Sequence, residues 1–470
     1  MREGLRSRHF EKTCRVVTAC LAMALSSQAR AEAPLGSVKK VVNGKVAVQV
    51  DNGWVVYQGV NFQPTMNLYD ADNNTTLPMK TLGYGPNGVG LLFNTNGIVF
   101  APCPVAPLPG RCATNHLGQS GIGIAFGQAT FGGAGGSGGG WISDTTVTVR
   151  LTNEDQLAGS ISGLAIDPVN GAYAVGWEIS TPSFNAHALL WRLDSANQTY
   201  LPLSKLDLGT LGGRTSQAFG ISKNARYIVG IANNAANKGR AVYALNTDTA
   251  WTDIATGFPT EVLKSRALAA SDTGFITGSA TVQRLVAGKK KNVDIGFVYN
   301  TANGSAKFFE AAGFHVKPLR VLDDGRVVGN LESAGAGTIK PNHPFLFDGT
   351  NLVDFGTMII AGQPAFGCRV NRPNNLGELA GSCVPNSTTP YGPAGKAFYL
   401  NAVASFPVFV DVNAGIHASS DSNTTGLGAY NLGSVSAIDD QHEITVMGYR
   451  ILNGAPVSAA FLATKAAYNP

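Results

Sequence analysis

The chain is poor in charge. Only 14% of its 470 residues are Asp, Glu, Lys or Arg, well below the roughly 25% usual in a soluble domain. It also lacks any long segment with apolar residues at i, i+3, i+4 and i+7 between good helix formers, so no helical layer is expected. Beyond the N-terminal leader no apolar run is a membrane-span candidate. There is no C-x-x-C and no cysteine beside a histidine, which weighs against a zinc site. A clustered basic face is missing too. The one basic run, Lys289-Lys290-Lys291, reads as a solvated hairpin tip, so no nucleic-acid partner is expected.

What is present points to strands. There are 57 glycines and 44% hydrophobic residues, enough apolar material for several stacked cores. Short apolar runs alternate with Gly, Asn, Asp and Ser, the residues of tight turns. The expected class is all-β.

The first residues read as a secretory signal, residues 1–33. A basic region through Arg15 precedes the apolar run 16–25, and Ala29-Arg30-Ala31 or Ala31-Glu32-Ala33 fits a small-residue cleavage site. That run is too short to span a bilayer. Val17-Thr18-Ala19-Cys20 resembles a lipoprotein box, but the apolar run continues past Cys20, so lipidation ranks second. The chain is expected to be secreted or periplasmic. Beyond residue 33 it carries 29 basic against 27 acidic side chains, a net of +2.

Four cysteines remain after the leader: Cys103, Cys112, Cys368 and Cys383. An even count in an exported chain suggests disulfides, and four cysteines allow three pairings. Local pairing is favoured. Cys103–Cys112 would close a Pro-rich loop and Cys368–Cys383 would clip a hairpin.

Residues 34–150 contain strand-like stretches at Val46–Val50 and Trp54–Tyr57, with Asp51-Asn52-Gly53 as a hairpin signal between them. Asp70-Ala71-Asp72-Asn73-Asn74 resembles the start of a calcium loop, with Asp70, Asp72 and Asn74 as ligand candidates. Position six is Thr75 and position twelve is Thr81, where Gly and Glu belong, so a polar turn is favoured over Ca2+. Residues 118–140 are Gly-rich and read as an insertion or exposed loop.

From residue 151 a repeat takes over. Its unit is an apolar strand, an Asx/Gly turn, and a second apolar strand ending in glycine. The glycines stand at 176, 230, 278, 329, 381 and 448, spaced by 54, 48, 51, 52 and 67 residues. A weaker seventh copy spans Leu91–Phe93 to Asn96–Phe100. A third strand follows in each unit, as in His187-Ala188-Leu189 and His343-Pro344-Phe345, and a fourth in most. Four strands per roughly 50 residues is the arithmetic of a β-propeller blade. The expectation is a single β-propeller domain over 34–470, with six repeat blades in 151–463. Six to eight blades are expected, seven first. The last unit has little chain left for a fourth strand, and 46–50 or 54–57 is expected to supply it.

The clearest copy, Asp207-Leu208-Gly209-Thr210-Leu211-Gly212-Gly213 with Ser216-x-Ala218 and Gly230, resembles the bacterial extracellular HAF-repeat family over about residues 160–463. The resemblance implies an exported, repeat-built β protein and transfers no catalytic motif.

Few residues invite chemistry. Gly135-Gly136-Ser137-Gly138-Gly139 matches G-x-S-x-G, but a nucleophile elbow needs a strand before it and a helix after it. Ser137 is therefore a weak nucleophile candidate. His187 and His343 share a slot that holds Arg240, Ile295, Lys396 and Ala459 in other units, which favours a structural role over metal binding. The pairs Asp323-Asp324 and Asp439-Asp440 fall where turn formers are expected. The leading reading is a binding or scaffold propeller, expected monomeric, that recognises an extracellular protein, glycan or polymer. The alternative is a hydrolase or lyase acting on an extracellular polymer or ester at the channel mouth. Several titratable groups converging in the central channel would count against the binding reading.

Overall fold

The computed structural model describes strands from Leu35 to Lys465, and side chains for most of 159–463. Segments 1–34, 79–90, 103–120, 151–157, 195–201, 387–394 and 414–429 are the longest of those outside the described residues. The architecture is a β-propeller. Among the described residues there are eight four-stranded antiparallel sheets. In chain order, sheets 1 to 7 occupy residues 45–78, 91–150, 158–207, 212–253, 264–309, 314–354 and 367–411, and sheet 8 occupies 431–465. Within sheets 1 to 7 the strands follow sequence order. First strands neighbour first strands from sheet 1 through sheet 6, so they are innermost. Sheet 1 in turn packs its first strand on sheet 8.

Sheet 8 has only three strands of its own. Leu35–Asn43 pairs antiparallel with Ala455–Lys465 and completes it. This corrects the expectation that 46–50 or 54–57 would do so: those residues lie in the first two strands of sheet 1. Asp51 pairs with Trp54, and the expected turn residues Asn52 and Gly53 between them lie outside the described residues. The blade number is eight, at the upper end of the expected range.

The cores lie between blades. One buried cluster joins Val175, Leu190 and Leu208 of sheet 3 to Ile228, Val242 and Trp251 of sheet 4. The next joins Tyr227, Val229 and Ile254 of sheet 4 to Ile276, Ile295 and Phe297 of sheet 5. Ile228 thus faces one neighbour, while Tyr227 and Val229 face the other. A strand buried on both faces must read as a continuous apolar run, and 227–232 does.

The repeated glycine has a steric cause. It lies in the second strand of sheets 3 to 8, and in sheets 3, 4, 5, 6 and 8 it stands opposite the residue before an irregularity in the first. Gly230 pairs with Ala218, Gly278 with Ala267 and Gly329 with Pro318, and each ladder slips immediately afterwards. The bulge turns a carbonyl into the space of a Cβ. A side chain at Gly176, Gly230, Gly278, Gly329 or Gly381 would collide with the carbonyl oxygen of Ser160, Gln217, Arg266, Lys317 or Arg369 respectively. From the third strand, the rings of Phe297, Phe345 and Phe398 close over Gly278, Gly329 and Gly381, leaving 2.7, 2.9 and 2.8 Å to an added Cβ. These three rings are fully buried. Bulge, glycine and ring form one packed unit.

The motif 207–213 has a similar account. The Asp207 Oδ1 accepts from the Gly209 amide at 2.7 Å, forming an Asx turn. Leu208 is buried, and Gly209 and Gly212 take φ of 69° and 88°, where glycine is favoured. Ser216 accepts from the Ala188 amide of the preceding sheet at 2.9 Å, and Ser265 does the same for Ala241. Blade construction accounts for these glycines.

Two expectations for the N-terminal part are corrected. The Gly-rich tract is largely sheet: Gly121–Phe131 pairs with Leu91–Pro102, and Gly138–Ser143 pairs with Gly121–Phe131. Ladder bonds use only the backbone, so a sheet with partners on both sides tolerates the missing side chains. The stretch 91–100 read as strand–turn–strand lies in one strand, Leu91–Pro102, and its bulge at Thr95 faces Gly127. Cys368 and Cys383 are paired across the first two strands of sheet 7 and joined by a disulfide. Cys103 and Cys112 lie outside the described residues.

Gly329→Ala is expected to cost about 1–3 kcal/mol through forced overpacking, read from denaturant unfolding. Gly257→Ala, with nothing within 4 Å of the new Cβ, is expected to be neutral or slightly stabilising. Equal effects of the two would refute the bulge account.

Candidate functional site

The turns between first and second strands cluster at one end of the propeller and are tied to one another. Asn224 of sheet 4 donates its amide to Asp272 Oδ1 of sheet 5 at 2.8 Å. The Asp272 amide donates to Asp323 Oδ1 of sheet 6 at 2.9 Å. Asn375 of sheet 7 donates its amide and side chain to Asp440 of sheet 8, both at 2.9 Å. The acidic pairs 323–324 and 439–440 are turn residues, as the sequence suggests, and they also join neighbouring blades.

One ion pair crosses this mouth. Lys223 Nζ of sheet 4 lies 2.9 Å from Asp440 Oδ2 of sheet 8. Sheets 4 and 8 are half a turn apart among eight, so the contact spans the axis. Burial by itself would raise the Asp440 pKa, but Lys223 and the Asn375 donors outweigh it and hold the carboxyl below its usual range. Asp272 goes the other way: burial, with Asp323 adding repulsion, pushes it up despite the Asn224 amide.

Two arginines stand beside these acids. Two residues beyond the partner of the repeat glycine, sheets 3, 4, 5 and 8 place Gly163, Gly220, Ala269 and Ser434 on the first strand. By the same count from Pro318 and Val370, sheet 6 places Arg320 on its first strand and sheet 7 places Arg372 just past the end of its first strand. Arg320 Nη2 reaches the Pro373 carbonyl at 3.5 Å, so its guanidinium points at the segment that carries Arg372. Its Nε is buried with no hydrogen-bond partner among the described residues. Burial lowers the Arg320 pKa, with Asp440 and Asp272 acting against that. Arg372 is brought down to about 10 by burial and then by the Arg320 charge. Both side chains retain some solvent-open surface although protein surrounds the guanidiniums. That combination describes a recess, not an outer face.

Between sheets 7 and 8 lies a second polar group. Glu378 is 2% exposed. It accepts from the Tyr399 hydroxyl at 2.5 Å and from Asn374 Nδ2 at 2.7 Å, and it meets His442 Nδ1 at 2.6 Å. Burial raises the Glu378 pKa, but these partners more than reverse it, and the carboxyl is held low. His442 has φ of 66° in the turn position that Gly171, Gly274, Gly325 and Gly377 fill elsewhere. A histidine in a left-handed turn costs of order 1 kcal/mol. Its side chain stays 40% exposed.

No sequence-family model and no curated protein matches the chain. Its fold is similar to several solved propellers. The β-propeller domain of the trilobed protease of Pyrococcus furiosus shares 10% identity over 71% of this chain and 93% of its own, with a TM-score of 0.40. Putative TolB from Agrobacterium tumefaciens shares 12% over 56% and 83%, with 0.33. A structure from work on two prolyl endopeptidases shares 10% over 95% of this chain and 60% of its own, with 0.44. At such values the likeness concerns the fold alone.

The sequence candidates lie elsewhere. Ser137, Asp72 and Asn74 fall outside the described residues, and Asp70 closes a hairpin with Thr75. Among the described residues no three His, Cys, Asp or Glu are grouped to hold a metal ion. His187 Nδ1 meets Asp207 at 2.7 Å and His343 Nδ1 meets Asp354 at 2.9 Å. Arg240 and Asp253 make the same clasp at 3.1 Å, so the slot ties third strand to fourth. Lys289 follows Val286 across a hairpin tip at the far end of sheet 5. The residues missed were Lys223, Arg320, Arg372, Glu378 and His442. Their signal was an odd residue in a repeat column: arginine among Gly, Ala and Ser, histidine among Gly.

Glu378 and Asp440 both have folded pKa values below their unfolded ones. Their stabilisation is present above about pH 4 and is lost as pH falls through the folded values. Glu378→Gln is expected to destabilise at pH 6 and to converge on the wild type near pH 3, as followed by urea unfolding. A difference independent of pH would show that the carboxylate charge does not matter.

Proposed function

We propose that this propeller is an exported binding module whose ligand docks at the mouth formed by the first-to-second-strand turns. The observation that carries the reading is the departure of sheets 6 to 8 from their own repeat at that mouth. Elsewhere the same positions hold residues a blade needs; there they hold charges that a blade does not need. Loops on a rigid scaffold are where recognition residues concentrate. The ligand class is an extracellular protein, glycan or polymer. Export is supported by the N-terminal signal pattern and by the disulfide of sheet 7, and the likeness to the HAF-repeat family agrees with it. Charged groups do converge near the axis, which sequence reasoning would count against the binding reading. They are guanidiniums, an ammonium and carboxylates tied to one another, and such a set holds a ligand without needing to transform it.

One observation favours the alternative, a hydrolase or lyase. A buried carboxylate holding a half-exposed imidazole through Nδ1 is the orienting half of a general base. Among the described residues the His442 imidazole meets the Glu378 carboxylate, and that pair is the whole of the case for the alternative.

The mature chain, immobilised and probed with a glycan array and with an envelope-protein fraction, tests the binding reading. Lys223→Glu with Asn375→Arg is expected to abolish the signal. Lys289→Glu with Lys290→Glu, at the opposite end, is expected to leave it intact. The reverse pattern, or no signal from either probe, would overturn the reading. Hydrolysis of an aryl ester that disappears in His442→Ala would favour the alternative.

A further inference from the structure

The arginines of sheets 6 and 7 ask for an explanation that blade construction does not give. Inner-strand positions next to the turn need small residues: an added Cβ at Gly220 already stands 3.3 Å from the Leu268 carbonyl of the next sheet. Introducing a guanidinium into that layer costs desolvation of a permanent charge. Two in adjacent sheets add repulsion. A structural arginine would be expected to offset this with a close carboxylate. Arg320 instead makes a long contact with a carbonyl and leaves Nε buried without a partner. Asp272 and Asp440 favour its charge from farther off.

We infer that Arg320 and Arg372 form a recessed binding site at the axial mouth for a carboxylate group of the ligand. The guanidinium fork presents parallel N–H donors that match the two oxygens of a carboxylate. Two forks from neighbouring sheets converge on one planar anion where a single lysine would offer only a point charge. A bound carboxylate pairs with the guanidinium of Arg320, relieves its repulsion with Arg372, and leaves a net charge the recess tolerates. Lys223, paired with Asp440 across the mouth, is 70% exposed on its side chain. Asp272 and Asp440 set the selectivity: they repel highly charged anions and leave a monoanion the favoured guest. This inference refines the binding reading by naming what the mouth recognises.

The test uses the mature chain and simple probes at matched ionic strength: acetate and propionate as monocarboxylates, inorganic phosphate, and chloride as control. Isothermal titration and thermal unfolding are the readouts. The carboxylates are expected to bind and to raise Tm relative to chloride, with phosphate weaker. Arg320→Met and Arg372→Met are each expected to weaken carboxylate binding about tenfold or more, the size of one lost charged hydrogen-bond pair. Ligand-free Arg320→Met is expected to be at least as stable as the wild type, because it removes an unsatisfied buried charge. Should Arg320→Met unfold the protein, Arg320→Lys is the second variant, expected to fold and to lose the preference for carboxylate over phosphate. A wild type that responds to no carboxylate beyond chloride overturns the inference, and so does a loss of Tm in Arg320→Met with binding unchanged. Neither result touches the docking reading, which the glycan and protein probes decide separately.

Discussion

A backbone carbonyl standing where a side chain would go is the constraint on which the rest depends. In sheets 3 to 7 a first-strand carbonyl stands over the second strand, and glycine is the residue that leaves room for it. The space then admits an aromatic ring from the third strand in sheets 5, 6 and 7. The bulge also changes the course of the first strand near the axis, where eight such strands must converge without colliding. A steric exclusion of one Cβ therefore sets strand register, ring packing and the approach of blades together. It is reused from sheet to sheet because the geometry is the same in each.

Blades are then joined by two kinds of contact with different reach. Apolar faces bury each sheet against the next and supply the cohesion. Side-chain acceptors such as Ser216 and Ser265 fix the stagger by satisfying a third-strand amide of the preceding sheet. At the turn end, Asn224, Asp272, Asp323, Asn375 and Asp440 link one turn to its neighbour. Charges at this end are consequently held in place by the scaffold. Preorganisation of that kind lowers the ordering cost of holding a ligand.

Much of the scaffold was legible in the sequence because it is repeated. Asp207 to Gly213 announced a turn, and the six glycines announced the second strands. The count of eight was not legible, because sheets 1 and 2 share little of the repeat and Gly138 to Ser143 reads as a linker until its partners are known. The site was hidden for a related reason. In the sequence, Arg369 also stands near the column of Arg320. Pairing Val370 with Gly381 puts Arg372 there. A shift of three residues in one turn was enough to separate two neighbours.

By itself the sequence determined that this is an all-β chain of four-stranded units, since period-two burial, turn residues and repeat length are local properties. It also determined where glycine was indispensable, though not why. Only the tertiary structure decided that Leu35–Asn43 completes the last sheet, that Lys223 reaches Asp440, and that Arg320 lies beside Arg372. Those contacts join residues from 52 to more than 400 positions apart. No local signal encodes them, because they arise from the number of blades and the radius at which their inner strands meet.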